Sequence, residues 1–241
     1  VGEHGRRRVR ARGARRGARG ARPRPFVAGG GPWRVPRGWP GRTVVCLACG
    51  PSIHVDDVER VGRWRRDDRC RVIAVGNAVR LAPWADVLYA CDPGWWRHAG
   101  APQGFGGIRV ALRPVELPNV WWLADRREDG LDEDPRYLSS GGNSGHQALN
   151  LAWHLGAARI ALLGYDMQFA PDGRRHWFGD HPRGLTNPHD DTLARWRRAF
   201  PAIAADLAAR GVAVINASRA TALDCFPRST IEDMIAAWST P

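Results

Sequence analysis

Three short apolar runs, at 43–48 (TVVCLA), 71–75 (RVIAV) and 85–91 (ADVLYAC), each end in a polar or glycine-containing loop: Gly50-Pro51-Ser52, Gly76-Asn77 and Asp92-Pro93-Gly94. A strand with one wet face alternates apolar and polar residues, whereas a run that is apolar throughout is a strand covered on both faces, as in a parallel sheet flanked by helices. Between the first two runs, Val58, Val61 and Trp64 share one helical face, and Asp56 and Asp57 sit near the start, where negative charge suits the helix dipole. Strands alternating with helices predict an α/β, Rossmann-like fold: a mainly parallel sheet with helices on both faces. The loops that end parallel strands fall on one edge of such a sheet, which is where its ligands bind.

The segment 139–166, SSGGNSGHQALNLAWHLGAARIALLGYD, adds a fourth loop to that edge. Small residues lead into a helix-period stretch (Ala148, Leu149, Leu151, Ala152, Leu155), which breaks at Gly156 before an apolar strand at 160–163. Asn143, Ser144 and the consecutive backbone N–H groups through Gly145 lie at a helix N-terminus, a place suited to a phosphate. The same residues also suit a plain helix N-cap with no ligand. Asp166, just past the strand, reads either as a ligand-facing carboxylate or as a cap on its own turn.

Further along, 108–112 and 120–123 read as strands, and 125–134 as a highly charged turn region. A helix over 192–210, interrupted at Pro201, a strand at 212–215 and a helix at 231–238 complete the pattern, and 216–218 could reach the ligand edge. Trp95, Trp96, Trp121 and Trp122 are either a stacking surface for a base or sugar or, the favoured reading, packing at the sheet edge. His176 and His181, in His-Trp-Phe-Gly-Asp-His, are a surface pair, zinc ligands with Asp180, or catalytic groups.

Net charge says less than its size suggests. All 36 basic residues are arginine, and 13 of them lie in the first 42 residues beside Glu3 alone, so that segment carries the whole net charge of +12. Residues 1–42 read as a disordered Arg/Gly/Pro-rich tail and linker, and 43–241 as a single nucleotide-binding domain. The tail could hold nucleic acid or an anionic membrane through counterion release, but an over-extended gene start explains arginine without lysine more simply; nucleic acid is otherwise not expected as a partner. No apolar region follows the charges as in a signal peptide, and no run reaches about 18 apolar residues, so no membrane span is expected. Five sparse cysteines suit a reduced cytoplasm, and Cys46-Leu-Ala-Cys49, placed in a strand, reads as buried thiols rather than a redox or zinc motif.

Cys49-Gly50-Pro51-Ser52 after the first strand, Asn77 after the second, Asp92-Pro93 after the third, and Gly142-Asn143-Ser144-Gly145 before the helix leading to Leu163-Gly164-Tyr165-Asp166 together resemble one Rossmann-like superfamily. It comprises the bacterial family-42 sialyltransferases, the flagellin-modifying motility accessory factors and the pterin diphosphokinase-like proteins of the archaeal MptE type. The resemblance spans about 43–225. It implies that Gly50, Pro51 and Ser52 lie against a nucleotide phosphate, with Asn77, Asp92, Asn143, Ser144 and Gly145 also at the nucleotide. It also implies that His176 is the general base, in a segment similar to the family's His-Tyr-Ile-Gly-His. Asp92 stands where the sialyltransferases carry asparagine.

Three functions follow. The first is a nucleotide-dependent transferase that moves a sugar from a nucleotide-sugar donor of the CMP-sugar type to an unknown hydroxyl acceptor, with His176 and Asp166 as catalytic groups and no metal. The second moves diphosphate from ATP to a pterin-like hydroxyl with Mg²⁺ facing Asp92 and Asp166. The third is a catalytically silent nucleotide-binding module, such as a phage or prophage accessory protein.

Overall fold

The computed structural model describes residues 32–99, 102–127 and 129–239. The expected disorder of the first 31 residues lies outside the described residues. Eight strands form one open sheet: β1 (Thr43–Leu47), β2 (Cys70–Val75), β3 (Val87–Ala90), β4 (Ile108–Leu112), β5 (Val120–Arg127), β6 (Tyr137–Ser139), β7 (Arg159–Leu163) and β8 (Ala213–Asn216). Their order is β6-β5-β4-β3-β2-β1-β7-β8, and every neighbouring pair runs parallel. The chain steps outward from β1 to β6 on one side, then crosses back to place β7 against the other edge of β1. The topological switch point therefore lies between β1 and β7, where open α/β sheets form their binding crevice.

Both faces of the sheet are covered. Val44 and Cys46 of β1 belong to one core cluster, with residues of helices α3 (Ser144–Leu155) and α4 (Asp190–Ala209). Val45 and Leu47 belong to the other, with residues of α1 (Val55–Arg66), α2 (Pro93–Ala99) and α5 (Ile231–Ser239). All five residues of β1 are buried, which is why the sequence there shows no alternation. Asp57, in the first turn of α1, does more than meet the helix dipole: Arg219 donates to both its carboxylate oxygens, at 2.7 and 2.9 Å.

α3 lies against the sheet centre and is buried nearly all round. Asn143 caps its start by accepting from the His146 N–H at 2.9 Å, and Gly156 ends it at φ 102°. Leu149, Leu151 and Leu155 are each 3% exposed or less, and each such side chain contributes about 1.5–3 kcal/mol. Midway along, the Asn150 carboxamide accepts from the N–H groups of Asp132 (2.9 Å) and Ser139 (3.0 Å) and donates to the Asp132 carbonyl (3.1 Å). It substitutes for a strand partner and pins the 131–139 segment to the helix.

Four expectations change. β5 runs on through Arg127 and β6 follows, so the charged 125–134 region is turn only in part. Asp92-Pro93-Gly94 opens the short helix α2. Pro201 does not interrupt α4: the helix is continuous over 20 residues, forgoing only the hydrogen bond that a proline cannot donate. Cys49 lies beyond β1, its thiol donating to the Val75 carbonyl at 3.3 Å. Trp96 is fully buried and Trp121 stacks on Trp33 at 5.5 Å, so these two pack the fold. No described helix is long and apolar enough to cross a membrane.

Candidate functional site

The ends of β1 and β7 approach more closely than side chains permit. Gly164 turns the chain at φ 73°, and a Cβ there would lie 2.8 Å from the Ala48 carbonyl oxygen. Beyond it, the Tyr165 N–H donates to Ser218 Oγ at 2.8 Å and the Tyr165 hydroxyl to the Gly145 carbonyl at 3.0 Å. Ser218, expected near the ligand, thus braces this turn from behind, and Asn216 holds Ser218 by accepting its N–H at 3.0 Å. The next residue, Asp166, lies directly over Gly50, where a Cβ would sit 2.1 Å from Asp166 Oδ1.

The loops after β1, β2, β3 and β7 and the start of α3 enclose a cavity of about 300 Å³. Gly50, Pro51, Asn77, Asp92, Asn143, Ser144, Gly145, Asp166 and His176 all line it. Ser52 does not. Its hydroxyl exchanges hydrogen bonds with the backbone of Ala220, at 3.4 and 3.2 Å, while its N–H donates to Asp166 Oδ2 at 2.7 Å.

Most polar side chains around the cavity serve the protein itself. Asn77 Oδ1 accepts from Trp95 Nε1 at 3.0 Å, and Asp92 Oδ1 from the Gly94 N–H at 2.6 Å. Asn143 is spent as the cap of α3, its amide donating to the Gly141 carbonyl at 3.0 Å. Ser144 Oγ accepts from the Cys91 N–H at 3.0 Å, tying the helix start to the end of β3. What remains is the helix terminus proper. The Ser144 and Gly145 N–H groups have no acceptor within the helix and none among the described residues.

Four buried atoms on the lining residues also have no partner among the described residues: Asp166 Oδ1, His176 Nε2, His181 Nδ1 and Trp196 Nε1. Asp166 is 2% exposed. Burial pushes its carboxyl up to about 6, against the hydrogen bonds from Ser52. His176 lies parallel to Phe178 (ring centroids 5.0 Å apart, 12° between planes) and meets His181 edge-on at 4.8 Å. Burial, and then the neighbouring His181, push the His176 imidazole down to about 4, so it is neutral at pH 7.

The loop that carries both histidines is fastened to its surroundings. The Trp177 N–H donates to the Cys49 carbonyl (3.2 Å), Arg175 reaches Asp180 (2.9 and 3.0 Å) and the Pro188 carbonyl (3.1 Å), and Arg197 of α4 donates to the Met167 carbonyl (2.8 Å). The zinc reading loses its carboxylate here, because Asp180 is engaged by Arg175. No group of three or more His, Cys, Asp or Glu side chains is arranged to hold a metal among the described residues. The cysteine thiols Cys46 and Cys49 are pushed up to about 12 by burial, which makes them inert. Trp95, Arg175, Thr192 and Trp196 also line the cavity. The sequence carried a signal only for Trp95; Trp196 sits on a helix whose cavity-facing side is set by how α4 crosses α3.

No family model matches the chain, and neither does any curated protein. Among solved structures, it is similar to the MAf glycosyltransferase from Magnetospirillum magneticum AMB-1, with a TM-score of 0.55 and 17% sequence identity. The likeness is one of fold. It covers 83% of this chain but 37% of that one, so the chain spans well under half the length of that protein. The expectation of an α/β, Rossmann-like parallel sheet therefore stands, on topology.

Proposed function

We propose that the chain is a nucleotide-dependent transferase of the glycosyltransferase kind, using a nucleotide-sugar donor. The observation that carries this reading is the convergence of four strand-end loops and the unpartnered N–H groups of Ser144 and Gly145 on one cavity at the β1/β7 switch point. Among the described residues the lining offers no unpaired arginine for a phosphate, since Arg175 is held by Asp180. The donor phosphate is met by the helix terminus instead, and its negative charge raises Asp166 further and draws His176 back up from its lowered value. A protonated Asp166 Oδ1 then donates a hydrogen bond where an ionised one would repel.

In the transfer, His176 Nε2 accepts the proton of the acceptor hydroxyl as its oxygen forms a bond to the anomeric carbon. The bond from that carbon to the donor phosphate oxygen breaks, and its electron pair leaves on the nucleotide. A free imidazole near 4 is a weak base, so the charge of the bound phosphate is part of what brings it into range.

One observation favours a second reading. Asp92 and Asp166 line the same cavity and each uses one carboxylate oxygen within the protein, so their other oxygens would hold Mg²⁺, which would offset the charge of ATP phosphates. A thermal-shift panel of CMP, UDP, GDP and ATP, each with and without Mg²⁺, separates the two. Stabilisation by CMP or another nucleotide without metal supports the glycosyltransferase reading, stabilisation by ATP only with Mg²⁺ supports diphosphate transfer, and no stabilisation by any of them removes both.

A further inference from the structure

Across the Gly141-Gly142 turn from the nucleotide cavity lies a second cleft, of about 720 Å³. Gly142 lines both spaces. The turn carries no side chain that could separate them. Both glycines hold positive φ, 53° and 69°, and a Cβ on Gly141 would sit 2.1 Å from the His146 ring, so the partition is bare backbone.

The charges in this cleft sort by whether they are already paired. Arg126 is held by Asp132 through two bonds of 2.7 and 2.8 Å, and Asp125 faces Arg113 at 3.4 Å. Arg195 and Arg198 are three residues apart on α4, where side chains at that spacing are neighbours, and make no ion pair or hydrogen bond among the described residues. Their neighbour Arg197 is anchored to the Met167 carbonyl, and Arg210 of the same region to Asp206 and Glu133. Asp129, also in the cleft, is likewise without an ion pair or hydrogen bond among the described residues. Among the described residues, the cleft keeps two guanidinium groups and one carboxylate after internal pairing.

A bare anion satisfies the arginines and is repelled by Asp129, and a neutral sugar satisfies Asp129 and leaves the arginines unused. A carboxylated sugar satisfies both: its carboxylate meets the planar forks of Arg195 and Arg198, and a hydroxyl donates to Asp129. We infer that this second cleft is the acceptor subsite and binds an acidic sugar, an assignment that rests on the transferase reading for the word acceptor but not for the binding itself. The backbone at Gly142, which lines both spaces, places that sugar beside the donor cavity.

Isothermal titration calorimetry with D-glucuronate, D-glucose and inorganic phosphate as probes, each with and without saturating CMP, tests this. Glucuronate should bind more tightly than either other probe, and CMP should not displace it. The Arg195→Gln/Arg198→Gln double variant should weaken glucuronate by about tenfold or more, as expected for loss of a charge-assisted pair. Asp129→Asn should weaken glucuronate but not phosphate, and Arg66→Gln, an exposed arginine on α1, should change nothing. Absence of glucuronate binding, binding that survives the double variant, or displacement by CMP overturns the inference. The two readings fail separately: CMP binding without glucuronate binding sinks the subsite alone, whereas arginine-dependent glucuronate binding without any nucleotide binding keeps the subsite and sinks nucleotide-dependent transfer.

Discussion

The Ser52 N–H donates to Asp166 Oδ2 at 2.7 Å, across the switch point that separates the loops of β1 and β7, while the other carboxylate oxygen of Asp166 has no partner among the described residues. With the bond from the Gly50 N–H to the Gly164 carbonyl at 2.8 Å, it joins the loops that follow β1 and β7 at the place where the cavity opens. It leaves a buried acid half satisfied, and such a group costs stability when ionised.

That cost has a definite sign. The carboxyl of Asp166 is raised from 3.8 to about 6 in the folded protein, so the folded state binds more protons than the unfolded one between those values. Its contribution to stability is fully present below about 3.8 and is lost as pH rises through about 6. Asp166→Asn can still accept the Ser52 N–H and carries no charge. Its melting temperature should exceed that of the wild type at pH 8, with the gap closing below pH 5; equal pH profiles for the two proteins would show that the carboxylate is already satisfied.

Gly50→Ala should be strongly destabilising. The new methyl group would lie 2.1 Å from Asp166 Oδ1 and 2.5 Å from the Gly164 carbonyl oxygen, and a backbone oxygen cannot rotate away. A loss of about 2–3 kcal/mol in urea unfolding is expected, typical of overpacking. Gly106→Ala, with nothing within 4 Å and no positive φ, serves as the control and should be close to neutral.

His176→Gln separates catalysis from architecture. Nucleotide binding, read by thermal shift, should persist while turnover falls by roughly 10²–10⁴-fold, the usual worth of a positioned base. Because folding lowers the imidazole from 6.5 to about 4, the wild-type residue contributes stability above pH 6.5 that is lost as pH falls through about 4. The variant should therefore lose less stability on acidification over that interval. Unchanged turnover would remove His176 from the reaction.

Asn143→Ala should cost about 1 kcal/mol, as loss of an N-cap does, and Ser144→Ala a similar amount through the Cys91 N–H it leaves unsatisfied. If the helix terminus holds the phosphate, both should also weaken nucleotide binding beyond their effect on stability, since each positions the Ser144 and Gly145 N–H groups. Weakened stability with intact binding would place the phosphate elsewhere.

How far the sequence reached depends on where each residue finds its partners. β1, β2 and β3 were legible because burial on both faces leaves an unbroken apolar run, and from a parallel sheet the convergence of their loops follows directly. β6 was not legible. Three residues, Tyr137 to Ser139, carry no strand signal of their own, and Asn150 on α3 helps hold them in place. Pro201 read as a break because local rules price the missing N–H, whereas Phe200 and Ile203, both fully buried, hold the helix against the core. Within the site, Ser52 looked ligand-facing from its loop alone. Its hydroxyl instead finds Ala220, 168 residues away, a contact that no local pattern announces.

The Asn150 carboxamide has one more consequence, and it concerns time rather than energy. With β6 stapled to the middle of α3, and the helix start tied to β3 by Ser144, the cavity wall on that side has no slack to take up. A ligand arriving there meets a surface already in its final shape, so its approach is expected to follow a single exponential whose observed rate climbs linearly with ligand concentration in stopped-flow traces, with no slower adjustment behind it.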